Sequence, residues 1–397
     1  MRRARVALPG VFAALATAIV VPAFGLFVPG ASFGVAGPVA AAPPDLPNPP
    51  SLTAQASYAV DADTGVELYA RNADEPLPPG STIKIATALV VVAHAELDDE
   101  VTIEASDEVD PTIYSSVGVA AGETLTVEQL LYGMLLPSGS DAAKALARHV
   151  GAGLPGGDPD DADASRAAFV EAMNDLAEER GLTDTRFANP TGDDAPNQHT
   201  TARELAVLAT ELLQDETLAE IVRTPVYDVL TEGRESRVLP TSNSNKLLQE
   251  DAAVVGVKTG STPDAGACLV AARTYGEGNR VVAVVLGSTG VYGDEGTLVE
   301  DGRWDDMTAL FAGLDEDYVW VSPAEPETLP GLAEEMAVWG VELGAGPSLP
   351  VPVGKDADLR YRLVLGPEAD PGDEVGAARV FAGEAELGEL PLYQAAA

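Results

Sequence analysis

The sequence predicts a mixed fold of the α/β (α+β) class over most of its 397 residues, followed by a small all-β domain. Two segments of alternating polarity, Ser57–Ala62 and Val66–Ala70, flank a D-T-G turn and are typical of a β-hairpin. Segments with apolar residues three and four positions apart follow and predict helices. Val- and Ala-rich segments typical of buried strands come next, and short strand-like runs separated by Gly, Pro and Asp close the chain.

The helical spacing predicts one helix that begins near Ser81 and five more further along the chain. These five are Val127–Met134, Ala142–Val150, Phe169–Arg180, Thr201–Leu213 and Ala219–Arg223. The region 151–163 is rich in Gly, Pro and Asp and is predicted to be an exposed, mobile loop. We expect one core strand from Gly256 through Ala272 and a second over Val281–Leu286. The C-terminal strands are predicted at Trp339–Leu343, Leu349–Val353, Leu359–Leu365, Ala377–Phe381 and Glu384–Leu387.

The N-terminal segment has the pattern of a secretory signal. Residues 1–42 contain three arginines near the start and no acid, then a long apolar stretch and an A-A-A run. The protein is therefore expected to be exported and extracytoplasmic, either secreted or tethered to the membrane through this segment alone. A Pro-rich linker follows over 43–50, and a second Pro-rich stretch after Ser322 divides the remainder into a mixed domain (51–322) and a β-rich C-terminal domain (323–397).

The composition excludes several classes of function. A net charge of −40 argues against nucleic acid as a partner, because phosphate binding needs clustered Lys and Arg. The three histidines stand far apart without metal-ligand spacing, which disfavours a zinc peptidase and predicts no metal site. The only cysteine, Cys268, lies in an apolar strand-like segment and is expected to be a buried core residue.

Two of the five lysines belong to short motifs that also carry serine or glycine. Ser81 and Lys84 form S-T-I-K at a predicted helix N-terminus, so the hydroxyl and the amine face the same side one turn apart. A serine needs a base within reach, and a lysine supplies one when burial and a second cation such as Lys258 lower its pKa. Each motif alone is common in cap and turn sequences, but S-T-I-K, S-G-S at 138–140 and K-T-G at 258–260 in this order predict a serine acyl-enzyme.

These motifs resemble those of the D-alanyl-D-alanine carboxypeptidases, which are low-molecular-mass penicillin-binding proteins. Further segments resemble the same family: Ala56–Asp61, Asn189–Arg203, Asn243–Leu248, Gly256–Thr262 and the tail from about Val338 to Tyr393. The resemblance implies a penicillin-binding transpeptidase fold, in which an antiparallel sheet is flanked by helices and accompanied by a helical subdomain. It also implies a role in peptidoglycan biosynthesis, cell-wall biogenesis and cell shape.

The resemblance further implies a role for each motif residue. Ser81 attacks the carbonyl of a D-Ala-D-Ala peptide bond, Lys84 accepts its proton, and Ser138 relays a proton to the departing D-alanine. The implied substrate-binding residues are Ser140, Lys258, Thr259, Gly260 and Ser261, with Lys258 and Thr259 on the terminal carboxylate. The N–H groups of Ser81 and Ser261 form the oxyanion hole. The implied partners are peptidoglycan stem peptides and, as inhibitors, β-lactams; no cofactor is implied.

The same motifs are compatible with more than one activity. The family usually has Asn where this chain has Ser140, which is shorter and supplies only one donor, so activity or substrate preference is open to change here. A D,D-endopeptidase uses the same residues, and a non-catalytic β-lactam sensor keeps the acylable serine. A β-lactamase is disfavoured because no E-x-x-L-N pattern lies between Ser140 and Lys258. His199 is expected to be structural, and Lys246 has no assigned role.

Overall fold

The computed structural model describes residues 50–395 except 234–235, 277, 293–297, 323–328, 330, 345, 347, 353–358, 368 and 384. The predicted signal segment (1–42) and all but the last residue of the predicted linker lie outside the described residues. The boundary between two compact units falls between Trp320 and Val321. No helix within the described residues is both long enough and apolar enough to cross a bilayer.

The first unit contains both helices and strands, as the sequence predicts. Its strands are β1 (Ala56–Asp61), β2 (Glu67–Arg71), β3 (Glu100–Thr102), β4 (Glu123–Thr126), β5 (Val226–Gly233), β6 (Arg237–Ser242), β7 (Val254–Thr262), β8 (Gly266–Tyr275), β9 (Asn279–Ser288), β10 (Gly290–Tyr292), β11 (Leu298–Asp301) and β12 (Tyr318–Val321). Its helices are α1 (Lys84–His94), α2 (Val127–Leu135), α3 (Ser140–Gly151), α4 (Ala162–Glu179), α5 (Ala202–Gln214), α6 (Glu216–Arg223), α7 (Leu247–Glu250) and α8 (Arg303–Asp317).

The central sheet is antiparallel with the strand order β2-β1-β9-β8-β7, and the first hairpin of the chain joins it through β1. Both of its faces are buried. In β8, Cys268 and Val270 face one apolar core, whereas Leu269 and Ala271 face the other core, which also contains Met307 of α8. This alternation follows from the two-residue period of a strand. The predicted antiparallel sheet flanked by helices is thus confirmed, and a second sheet of order β3-β4-β5-β6 lies in the same unit.

Two predictions about individual elements of this unit are wrong. The expected single strand from Gly256 through Ala272 is two strands, β7 and β8, which pair in a hairpin from Thr262↔Gly266 onward. The turn between them contains Pro263, which has no N–H for a sheet ladder. Helix α4 begins at Ala162, well before the expected Phe169, because Asp161 caps its first turn by accepting from Asp163 N and Ala164 N.

The second unit is rich in β-structure. It contains α9 (Leu332–Trp339), β13 (Val341–Leu343), β14 (Leu349–Pro352), β15 (Leu359–Leu365), β16 (Glu374–Ala382) and β17 (Ala385–Gln394). Four of the strands form an antiparallel sheet of order β13-β17-β16-β15 around a small apolar core. The expected strand at Trp339–Leu343 is wrong in its first residues, since Trp339 ends a helix and Gly340 (φ +65°) closes it.

Candidate active site

The nucleophile candidate lies on a tight turn that leads into a buried helix. Ser81 is in a 3₁₀ turn, Gly80–Ile83, and is half-buried, whereas Lys84 is the first residue of α1 and is fully buried. Thr82 Oγ1 donates to Pro79 O at 2.7 Å and closes the turn from inside. The sequence spacing therefore places the serine hydroxyl and the lysine amine together, as predicted for a helical turn.

The Lys84 amine is directed at Ser81. Nζ lies 2.9 Å from Ser81 Oγ, 2.5 Å from the carbonyl oxygen of Thr191 and 3.5 Å from Ser140 Oγ. Burial lowers the pKa of Lys84 to about 8, while the charges of Asp193 and Asp141 oppose this change. An amine with this pKa is partly unprotonated near neutral pH, so it is able to accept the proton of the hydroxyl beside it.

Ser138 lies on the turn between α2 and α3, and Ser140 is the first residue of α3. Ser138 has φ +68°, a left-handed conformation that is costly for a residue with a side chain. Its buried Oγ has no hydrogen-bond partner among the described residues. Gly139 is required here, because a Cβ would lie 2.5 Å from Gly133 O. The turn thus holds an unpaired hydroxyl at the cavity, where a substrate group is able to pair with it.

Asp141 ties a second loop to this turn, and the sequence alone did not single it out. Its buried carboxylate accepts from Ser116 Oγ at 2.5 Å, Val117 N at 3.0 Å and Gly118 N at 2.9 Å. Ser140 N donates to the carbonyl of Ser115 at 2.8 Å. The loop 115–118 is therefore fixed against the start of α3, and Ser115 contributes to the cavity wall.

The K-T-G motif lies on β7 opposite these groups. Lys258 is buried, and its Nζ donates to the Thr259 carbonyl at 3.0 Å. Burial, together with the charges of Lys84 and Arg303, lowers the pKa of Lys258 well below its usual range. Thr259 Oγ1 lies 2.6 Å from Ser244 Oγ, which gives the N-S-N segment at 243–245 a place in the site.

Gly260 lets β7 touch the nucleophile turn. A Cβ at this position would lie 2.8 Å from Pro79 O, 2.9 Å from Thr82 N and 3.0 Å from Ser81 N. On the other side of the same contact, a Cβ on Gly80 would meet Ser261 N at 3.0 Å. The backbones that carry the Ser81 and Ser261 N–H groups are thus close neighbours.

Arg303 is a residue of the site that sequence reasoning missed. It is buried at the start of α8, and its Nη1 donates to the carbonyls of Gly260 at 2.8 Å and Cys268 at 2.9 Å. Its Nη2 donates to Ser261 Oγ at 2.7 Å, and its Nε to Asp301 Oδ1 at 2.6 Å. No local pattern marks this arginine among the others, because its partners are distant in sequence.

A cavity of about 240 Å³ brings the three motifs together. Its lining includes Ser81, Ser138, Thr259, Gly260, Ser261 and Arg303. Lys84, Ser140 and Lys258 are buried residues that contact or adjoin these lining residues. Trp304 also lines the cavity, and Lys246 Nζ lies 4.9 Å from the centre of its ring, a contact that sequence reasoning did not find.

The remaining candidate residues lie outside this cluster. His199 pairs with Arg186 through its main chain. Cys268 is buried, and burial raises the pKa of its thiol to about 11, which keeps it unreactive. Across the described residues, no group of three or more His, Cys, Asp or Glu side chains has the arrangement of a metal site.

Residues 44–290 match the sequence model of a peptidase family, S11, described as D-alanyl-D-alanine carboxypeptidase. The D-alanyl-D-alanine carboxypeptidase of Streptomyces sp. strain K15 is 38% identical over 64% of this chain and 88% of its own length. The carboxypeptidase DacC of Escherichia coli is 33% identical over 80% of this chain and 76% of its own. The crystal structure of the Streptomyces K15 DD-transpeptidase superposes with a TM-score of 0.60 at 34% identity, covering 67% of this chain and 98% of that one.

Proposed function

Because the chain belongs to the family of the D-alanyl-D-alanine carboxypeptidases, we propose that it removes the terminal D-alanine from peptidoglycan stem peptides through an acyl-enzyme on Ser81. It is a serine-type peptidase of the penicillin-binding class, and β-lactams are expected to acylate the same serine. The observation that carries the mechanism is the 2.9 Å contact between Ser81 Oγ and the buried amine of Lys84.

Acylation begins with the transfer of the Ser81 proton to Lys84 as Oγ attacks the scissile carbonyl. The pKa of about 8 supports Lys84 as the base, because the unprotonated amine is then accessible near neutral pH. The N–H groups of Ser81 and Ser261 stabilise the oxyanion. Their neighbouring backbones, held by the Gly260 contact and by Arg303, support this role.

Departure of D-alanine needs a proton on the leaving nitrogen. The proton that Lys84 accepted from Ser81 passes to this nitrogen through Ser138, whose unpaired Oγ is free to accept a hydrogen bond from one group and to donate to another. Ser140 lies beside Lys84 and assists in aligning the amine. Water then attacks the ester, Lys84 accepts the proton of that water, and this proton passes to Ser81 Oγ as the ester C–O bond breaks. Every step uses groups that this chain supplies.

The terminal carboxylate of the substrate binds at β7. Lys258 donates to the carboxylate, whose negative charge favours the protonated form of this lysine against the burial that lowers its pKa. The Thr259 hydroxyl donates a second hydrogen bond to the carboxylate in place of its contact with Ser244. Gly260 allows the substrate main chain to approach the strand edge. Arg303 fixes this end of the cavity through its hydrogen bonds to the Gly260 carbonyl and Ser261 Oγ, while Asp301 offsets its charge.

The test is release of D-alanine from a peptide that ends in D-Ala-D-Ala. The parent protein should release D-alanine and should gain the mass of one β-lactam on Ser81. Ser81→Ala should do neither, although it should unfold at the same temperature as the parent. D-alanine release that survives in Ser81→Ala would overturn the assignment.

A D,D-endopeptidase activity is the second candidate. A D-alanyl-D-alanine endopeptidase of Pseudomonas aeruginosa is 32% identical over 69% of this chain and 84% of its own length. An endopeptidase cuts cross-linked peptide dimers, whereas a carboxypeptidase acts on free pentapeptide ends. Comparing the two substrates at equal concentration, with Ser81→Ala as the control, decides which activity dominates.

The enzyme acts outside the cytoplasm, as a cell-wall enzyme of this family. Residues 1–42 serve as its export signal, with 43–50 as a linker, 51–322 as the catalytic domain and 323–397 as an accessory β domain. Sequencing the N-terminus of the exported protein tests the first part. A mature chain that still begins at Met1 would mean that the segment stays as an anchor.

A further inference from the structure

The segment Asn189–Asp193 forms a loop whose main chain contacts both reacting groups. The Thr191 carbonyl accepts from Lys84 Nζ at 2.5 Å and from Ser81 Oγ at 3.3 Å. Gly192 packs so tightly on the nucleophile turn that a Cβ there would lie 2.2 Å from Gly80 O. The loop is therefore part of the wall that fixes the position of the Lys84 amine.

Side chains of the loop itself hold Thr191 in place. Thr191 Oγ1 lies 2.7 Å from Asp193 Oδ2 and 3.0 Å from Asn189 Oδ1. A hydroxyl has one proton, and the closer, charged acceptor is Asp193. The Asp193 carbonyl in turn accepts from Asn189 Nδ2 at 2.9 Å and Gln198 Nε2 at 2.7 Å. Asp193 is thus fixed at both its main chain and its carboxylate.

Two carboxylates on different elements act on Lys84, and Lys84 in turn acts on the lysine of a third element. Asp193 lies on this loop, Asp141 on α3 and Lys258 on β7. The two carboxylates favour the protonated amine, whereas burial lowers its pKa to about 8. Burial and the charges of Lys84 and Arg303 lower the pKa of Lys258. Of these two carboxylates, Asp193 also accepts a hydrogen bond from Thr191. The carbonyl of Thr191 is the one that binds the Lys84 amine.

We propose that Asp193 is a positioning residue for the general base Lys84. Through the Thr191 hydroxyl it fixes the carbonyl on which the amine is aligned, and its carboxylate supplies negative charge on this side of the amine. Asp193 acts through Thr191 and Lys84 and does not itself exchange a proton with Ser81. The inference rests on the proposed function, in which Lys84 accepts the Ser81 proton.

The test is the rate of acylation of the full chain by a fluorescent penicillin, measured from about pH 6 to about pH 10. Asp193→Asn keeps an oxygen that accepts from Thr191 but removes the charge. Because a carboxylate stabilises the protonated amine, its removal lowers the pKa of Lys84. On the acidic limb of the profile, the pH at which the acylation rate reaches half its plateau should therefore fall by roughly half to one unit. The plateau rate itself should change by less than about threefold.

Two further variants separate charge from position. Asp193→Leu removes both contributions and should lower the plateau by about tenfold or more. Thr191→Val removes the hydroxyl link but keeps the charge, so its plateau should fall while its limb moves less than in Asp193→Asn. An unchanged plateau in Thr191→Val would contradict the positioning role, and this readout remains even if Asp193→Leu does not fold.

Asp194→Asn is the matched control. This neighbouring carboxylate accepts from Thr262 Oγ1 and Asp264 N, not from Thr191, so its loss should leave the limb in place. An equal shift in both Asn variants, or no shift in Asp193→Asn, would overturn the inference. Lys84→Ala distinguishes failure of the proposed function from failure of this inference. Full acylation in Lys84→Ala would refute the proposed function. If Lys84→Ala is inactive but the pH profile of Asp193→Asn equals that of the parent, only the inference about Asp193 is refuted.

Discussion

Substituting Gly260 by alanine should damage catalysis more than stability. The added Cβ would meet three main-chain atoms of the nucleophile turn, on Pro79, Thr82 and Ser81, at 2.8–3.0 Å. Ordinary van der Waals contact begins near 3.4 Å, so β7 and the turn must separate by about 0.4 to 0.6 Å. All three atoms belong to main chain, which has no rotamer by which to avoid the contact. The displacement falls on the N–H groups proposed to form the oxyanion hole.

A displacement of this size should lower the acylation rate by roughly 10- to 100-fold, which is about 1.4 to 2.7 kcal/mol of transition-state stabilisation. The assay is the second-order rate of labelling by a fluorescent penicillin, with D-alanine release measured in parallel. Both rates should fall together, since both need the same oxyanion contacts. Thermal unfolding monitored by circular dichroism reports whether the fold survives.

Gly313→Ala is the matched control. Gly313 lies within α8, where a Cβ would meet only Pro50 atoms, at 3.6 Å or more. This variant should keep the parent acylation rate and should unfold at the same or a slightly higher temperature, because alanine favours a helix interior over glycine. A Gly260→Ala enzyme that acylates within about threefold of the parent would refute the reasoning from close approach.

Three further predictions concern the charged and polar groups of the site. Lys84 must be unprotonated to act as the base, and its pKa is lowered to about 8. The value of kcat/KM should therefore rise with pH and reach half its maximum near that pKa, whereas a flat profile down to about pH 6 would contradict a lysine base. Ser140→Asn should keep or raise the carboxypeptidase rate, and a fall of more than about tenfold would show that serine has a specific role here. Arg303→Lys should lower kcat/KM by about tenfold or more, because an ammonium cannot reproduce the planar contacts with Gly260, Cys268 and Ser261. An unchanged kcat/KM would argue against a role for Arg303 in the site.

The local sequence pattern was sufficient to predict contacts that lie within a single helical turn or a single hairpin. The spacing of Ser81 and Lys84 along one helical turn places Oγ and Nζ 2.9 Å apart, as the sequence predicts. The same holds for the hairpin of β1 and β2, whose turn chemistry is visible in the sequence. In both cases the contacts lie within one helical turn or between the two strands of one hairpin, so their geometry follows from secondary structure alone.

The hairpin of β7 and β8 shows where local pattern failed. Buried, Val- and Ala-rich stretches lie on either side of the polar residues 258–264, and both strands are buried on both faces. Periodicity therefore gives no signal at the reversal. The clues were the turn residues Pro263, Asp264 and Gly266, of which the proline cannot donate to a ladder.

The sequence by itself determined the class of fold, the three motifs and the pairing of a nucleophile with its base, because each depends on short-range spacing. Only the tertiary structure decided what surrounds them: the Thr191 carbonyl on Lys84, the Asp141 contacts with loop 115–118, and Arg303 on the β7 carbonyls. These contacts join elements distant in the chain, so no local rule constrains them. They arise when burial of the two apolar cores brings the elements together and each buried polar group must find its partner there.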